Sequence, residues 1–168
     1  FQGIALTPNL VFWHYGSTDA PIQSYLDALL PSPAAWLTSS WTTNAANSEF
    51  VRLFQGIALT PNLVFWHYGS TRARAVIQNW NETSQWCIAW LRLGIAQNPH
   101  DTALQSMVDK LMPMRPFKKQ WDDQIIPVDP GTRPWSVRDL DEGRDLIIDM
   151  RVWQQADQSG VLLLGALL

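Results

Sequence analysis

SVRDLDEGRDLIIDMRVWQQADQ, residues 136–158, is the stretch whose reading decides the fold. The spacing predicts a helix. Ser136 opens it, Asp139 takes the capping-box position, and Asp141 and Glu142 fall in the first turns, where carboxylates suit the positive end of the helix dipole. The helix is expected to run to about Gln158 and stop at Gly160, with Gly143 weakening it by up to ~1 kcal/mol. Asp141, Asp145 and Asp149 then stack at i, i+4 and i+8. Such a stripe can bind cations or carry acid–base chemistry. Arg138, Arg144 and Arg151 are interleaved with it, and Arg138–Glu142 is itself an i,i+4 pair, so a solvated, salt-bridged face is the better reading.

Outward from this segment, more helices are expected. Residues 113–135 hold five prolines (Pro113, Pro116, Pro127, Pro130 and Pro134) and read as an extended connector. Before it, Asp101 caps a helix through Leu104, Met107, Val108 and Leu111. Residues 72–97 give the longest apolar periodicity, with Val76, Ile77, Trp80, Ser84, Cys87, Trp90, Leu91 and Ile95 near one face. Pro21 opens a helix to Leu30, Ser32-Pro33 caps another carrying Trp36, and helix resumes from about Ala45 to Leu59. Residues 161–168 are the main strand candidate. The fold class expected is mainly α, an irregular helical domain with little strand. Its parts are a helical, charge-poor region at 1–112, the connector at 113–135, and a C-terminal helix with an apolar tail at 136–168.

Residues 1–18, FQGIALTPNLVFWHYGST, recur without one difference at 54–71. Structural repeats diverge outside their framework positions, so full identity means a recent or engineered duplication, or one stretch assigned twice. Thr7-Pro8 and Thr60-Pro61 each cap a short helix ending at Gly16 or Gly69. The flanks of the two copies differ, so their environments are expected to differ: one well packed, the other peripheral or swapped onto a neighbour. No third unit follows residue 107, which argues against a solenoid.

Charge is uneven. The net charge of −3 gives no argument for nucleic acid or an acidic membrane surface, although nucleic-acid contact stays open. Residues 1–71 hold only Asp19, Asp27, Glu49 and Arg52 as charged side chains. Water-facing surface carries about a quarter or more, so this half is expected to be covered, preferably by a partner chain. The lone Cys87 excludes a disulfide framework and reads as a buried small hydrophobe. No apolar run reaches the roughly 18 residues a membrane helix needs, and no signal peptide opens the chain. Phe1 in place of Met, and the aliphatic ending, suggest a piece of something larger. An intracellular or virion-like setting is favoured.

Catalytic signatures are missing, and no catalytic, cofactor-binding or metal-ligating residue is assigned. His14, His67 and His100 lack ligands at metal spacing, and the Trp-His-Tyr triplet reads as packed amphipathic surface. Asp122-Asp123 beside Lys118-Lys119 reads as another salt-bridged face. Asn81-Glu82-Thr83 is a glycosylation sequon that matters only after secretion. Of the ten tryptophans, Trp80, Trp86 and Trp90 have Arg72, Arg74 and Arg92 nearby, the closest approach to a stacking platform. The function expected is structural: an assembly subunit contacting copies of itself or other subunits, most concretely a helical, shell-forming, coat-like protein. One alternative is an enzyme, hydrolase-like, completed by residues outside this sequence, which a pocket around a perturbed His14, His67 or Asp122 would favour. Another is a tryptophan-based module binding sugar or peptide.

Overall fold

Trp135 to Gln154 form a β-hairpin where a helix is expected. In the computed structural model, which describes residues 20–123, 134–155 and 160–168, β3 (Trp135–Asp139) pairs antiparallel with β4 (Arg144–Gln154), Val137 opposite Leu146. The alternation explains it. Trp135, Val137, Asp139, Ile148 and Met150 are buried, whereas Asp145, Ile147 and Arg151 are exposed, the period-2 pattern of a sheet with one covered face. Asp139 does cap, but it caps the turn: its Oδ1 accepts from the backbone N–H of Asp141 and of Glu142, both at 3.1 Å. Gly143 sits at φ +68°, where a residue with a Cβ is strained, so the glycine that would weaken a helix makes this turn.

Two further segments expected as helix are strands. Pro33, buried, leads into β1 (Ala34–Thr38) and not into a helix, and β2 (Thr43–Ala46) returns beside it before α2 (Ser48–Leu53). With β5 (Gly160–Leu167), which the apolar ending did announce, they complete a five-stranded antiparallel sheet in the order β2-β1-β5-β4-β3. The fold is therefore mixed α and β, and the expectation of little strand is wrong. β5 reads as unbroken aliphatics because a middle strand is covered on both faces.

Helix α1 (Ala20–Ala28) covers the outer face, with Leu26, Ile22 and Leu29 against Ala34, Ala45, Trp36, Leu162 and Leu164. The other face meets the larger core, enclosed by α2, α3 (Leu63–Gly69), α4 (Thr71–Val76), α5 (Trp80–Gln97), α6 (Thr102–Leu111) and α7 (Arg115–Asp122). Asn47, fully buried, ties the layers together. Its Oδ1 caps α2 at Phe50 N and also accepts from Ala34 N, while Nδ2 donates to Leu26 O and Ser32 O.

The 72–97 periodicity is split. Ile77 leaves the helical path to bridge Val137, Gln78 N donates to Ser136 O at 2.8 Å, and Asn79 Oδ1 accepts from Ser136 N at 2.9 Å. Sheet pairing of these three residues outweighs one more turn of helix. The proline-rich connector also contains structure: α7 forms there with Pro116 in its first turn, where the missing N–H costs nothing. Residues 124–133 lie outside the described residues.

Much of the described part of the charge-poor half, residues 20–71, is covered by its own chain. Phe50, Phe54, Ile57, Leu63 and Trp66 are all fully buried in the core shared with α5, α6 and the sheet. No partner chain is required to hide them, contrary to expectation. The second copy of the duplicated segment thus lies at the centre of the core; the first lies outside the described residues. Among the described residues, no helix is long and apolar enough to cross a membrane.

Candidate functional site

The tryptophans divide into an interior set and a rim set. Inside, Trp86 meets Trp41 and Trp135 edge-to-face, with ring centroids 5.6 and 5.0 Å apart, and Phe54 meets Trp66 and Trp135 in the same manner. The indole N–H of Trp66 donates to Gln55 O at 2.8 Å, whereas those of Trp86, Trp90 and Trp135 are buried without a hydrogen-bond partner.

At the rim, α3 and α5 build a stack. His67 is buried, not on a surface as its triplet suggested; its ring lies parallel to Trp80, centroids 4.7 Å apart and planes 12° from each other. Asn62 fixes the start of α3, its Oδ1 accepting from Val64 N and Phe65 N. Ser84 Oγ donates to Trp80 O at 2.7 Å, which uses its single proton, so the 2.7 Å contact to His67 requires Nε2–H to donate to Ser84. His67 Nδ1 is then a buried acceptor without a donor. Burial, and secondarily the charge of Arg74, push His67 down to about 3, so the imidazole is neutral. Arg74 from α4 lies over the Trp80 ring at 3.5 Å, on the face His67 leaves free.

Around this stack opens a cleft of about 590 Å³ between α4, α5 and α7. Arg74, Trp80, Asn81 and Gln85 form one side; Arg115, Pro116, Lys119, Gln120 and Asp123 form the other. Lys119 pairs with Asp123 at 3.2 Å, whereas Arg74 and Arg115 have no carboxylate partner among the described residues. Gln120 Oε1 accepts from Tyr68 O–H at 2.8 Å, which turns its amino group away from that bond. Burial raises the Tyr68 phenol, so it stays a neutral donor. A second cavity of about 250 Å³ lies on the outer face of the sheet and is mostly apolar, lined by Pro21, Ile22, Tyr25, Leu26, Trp36, Leu162 and Gln155.

The structure scatters the other candidates. The carboxylate stripe does not exist. Asp141 bonds Arg52 and Gln55, Asp145 pairs with Arg138 at 2.9 Å, and Asp149 with Arg151 at 2.9 Å. Asp122 is exposed and paired with Lys118, His100 is exposed, and His14 lies outside the described residues. Cys87 is fully buried, and burial raises its thiol well above the usual range. Asn81 of the sequon lines the cleft, and Arg92 stacks on Trp121 at 4.2 Å. Among the described residues, no group of three or more His, Cys, Asp or Glu could hold a metal ion.

Sequence reasoning missed Arg115, whose importance depends on α7 lying opposite α4. It also missed the half-buried ion pair of Asp139 with Arg52, bidentate at 2.9 and 3.0 Å. Arg52 holds the Asp139 carboxyl below the usual carboxylate range.

Residues 19–166 match the model of a family described as the MmyB-like transcription regulator ligand binding domain. No curated protein matches the chain. The matched stretch includes the second copy of the duplicated segment and begins just after the first. It overturns the expectation of a shell-forming, capsid-like, virion-associated protein.

Proposed function

Because the chain belongs to the MmyB-like transcription regulator ligand binding domain family, we propose that it is the ligand-sensing part of a transcription regulator and that the cleft between α4, α5 and α7 receives the ligand. The observation that carries this is the cleft itself: its volume falls within the few hundred to one thousand Å³ of small-molecule sites, and Arg74 and Trp80 in its wall are stacked, with the buried His67 parallel to Trp80. In this reading the partners are the DNA-binding part of the regulator and further copies of this chain, and the setting is inside the cell. A hydrolase reading has less support, since His67 is neutral and buried with its ring hydrogen-bonded to Ser84, and Asp122 is in an exposed surface ion pair.

A thermal-shift screen of the purified chain against a broad set of small metabolites tests the proposal. At least one compound is expected to raise the melting temperature. Asn81→Trp, which fills the cleft from an exposed helix position, is expected to cancel that rise while leaving the unliganded protein folded. If no compound stabilises the chain, or the rise survives Asn81→Trp, the cleft is not the ligand site.

A further inference from the structure

Resting on that reading only where it has copies of this chain meet, we infer that the outer face of the sheet is a self-association surface. Its uncovered half, over β4 and β3, receives α1 of a second copy, and that copy receives α1 of the first in return.

The outer face is half covered. Ile147, Asp149, Arg151 and Trp153 of β4 turn outward, since Ile148 and Met150 between them are buried in the inner core. The ladder sets Trp153 beside Leu162, Arg151 beside Leu164 and Asp149 beside Ala166. The apolar cluster beneath α1 draws on β1, β2 and β5 and, among the described residues, not on β4 or β3. Trp153 is left 50% exposed, and Ile147, Ala166 and Leu168 are exposed with it. Widths account for this. Five strands about 4.8 Å apart span roughly 20–24 Å, whereas one helix with its side chains covers only ~10–12 Å. A second helix is needed, and α2 to α7 all enclose the opposite face.

Helix α1 has the matching surplus. Ile22, Leu26 and Leu29 face its own sheet, while Pro21, Tyr25 and Ala28, at i, i+4 and i+7, form an outward stripe on which Tyr25 is 58% exposed. Each chain thus carries one spare helix stripe and one bare strip of sheet. A two-fold axis joins each to its counterpart, and the contact closes as a dimer. The charges agree with this. Arg151 is paired with Asp149 and Arg138 with Asp145, both at 2.9 Å, while Asp27, the one charged residue of α1, accepts from Gln23 Nε2 at 2.9 Å. Two locally neutral surfaces suit each other and offer little to the phosphates of a nucleic acid. Both lie within residues 19–166, the stretch that matches the family model, so the pairing needs nothing from residues 1–18. The 11 residues of β4 make a strip about 36 Å long. At the ~10 Å width that α1 leaves, this is a small specific interface, and dissociation in the micromolar range is expected.

Sedimentation velocity of the full chain from about 1 to 200 µM tests this. A monomer–dimer equilibrium is expected, and a chain that stays monomeric throughout overturns the proposal. Tyr25→Glu on the helix and Trp153→Lys on the strand are each expected to weaken dimerisation about tenfold or more, with the circular dichroism spectrum unchanged. Ile147→Lys does the same work on the strand side should Trp153→Lys fail to fold. Leu59→Lys, exposed but outside both surfaces, should leave the dimer as it is. In a dimer of either variant both halves of the reciprocal contact are damaged, but a Tyr25→Glu chain paired with a Trp153→Lys chain keeps one half intact. An equimolar mixture is therefore expected to associate more tightly than either variant alone, and a mixture no tighter overturns the proposal. So does a dimer indifferent to all three variants, or a dimer that forms only when residues 1–18 are removed, since that segment then covers the face. None of these outcomes bears on the cleft, which the thermal-shift screen decides separately.

Discussion

Trp135 and Trp80 are one residue type put to opposite uses. Trp135 is 1% exposed, meets Phe54 and Trp86 at right angles, and touches nothing charged in those ring contacts. Trp80 is 9% exposed, carries a guanidinium on one face and an imidazole on the other, and donates its indole N–H to His67 O at 3.3 Å. The interior ring fills volume; the rim ring places a cation. Tryptophan enrichment in a sequence is therefore two signals mixed together, and only the neighbours separate them.

The contrast can be broken most directly in the interior. Trp135→Ala is expected to cost about 3–5 kcal/mol, measured by urea unfolding, because the cavity it leaves lies between the sheet and α5. A cost under ~1 kcal/mol would mean the interior set is not what holds the fold. Arg52→Ala comes next, at about 2 kcal/mol. It removes the bidentate partner of Asp139, 1% exposed, and leaves only the longer 3.9 Å contact to Arg144 among the described residues; the figure is set below that of a fully buried pair because Arg52 is itself 30% exposed. The Asp139 carboxyl is held below its unfolded value, so this contribution is present above the ordinary carboxylate range and is lost as pH falls through the lower folded value.

His67 titrates in a higher window. Its folded value of about 3 lies below the unfolded 6.5, so the unfolded chain takes up a proton first as pH falls. Stability is full above about 6.5 and is expected to decline by roughly 1 kcal/mol per pH unit toward 3. His67→Gln should flatten that decline in unfolding curves taken across this range; an unchanged slope would locate the proton elsewhere. At the rim the expected effect on stability nearly vanishes. Arg74→Gln should alter it by no more than ~0.5 kcal/mol. Smallest of all, removing residues 1–18 should leave the melting temperature unchanged, since the copy at 54–71 supplies the buried Phe54, Ile57, Leu63 and Trp66.

Local signals were legible where one residue settles the matter. Asp101 caps α6 at Leu104 N as its sequence position promised, and α1 falls where Pro21 placed it, whereas α3 ends at Gly69 as expected but is capped by Asn62 and begins at Leu63, after Thr60-Pro61. Residues 136–158 misled because Leu146, Met150 and Trp153 fit a helical period as well as Ile148 and Met150 fit an alternating one. Pairing with β5, which joins Trp153 to Leu162 across the ladder, decides between them, and that partner is fixed only in three dimensions. The charge-poor half misled for a related reason: a segment placed centrally in a small fold needs few charges, and nothing local says which segment is central. Of the cleft, Arg74 and Trp80 were noticed as neighbours in the chain. Arg115 was invisible, because its pairing across the opening exists only after α7 folds back.

The break between α4 and α5 also acts mechanically. Arg74 stands just before it and Trp80 just after it, and the three residues between are fastened to β3 by the Ile77–Val137 bridge and by Asn79, which bonds both Ser136 N and Pro134 O. The two helices that wall the opening therefore share one rivet, and that rivet is set into the edge of the sheet.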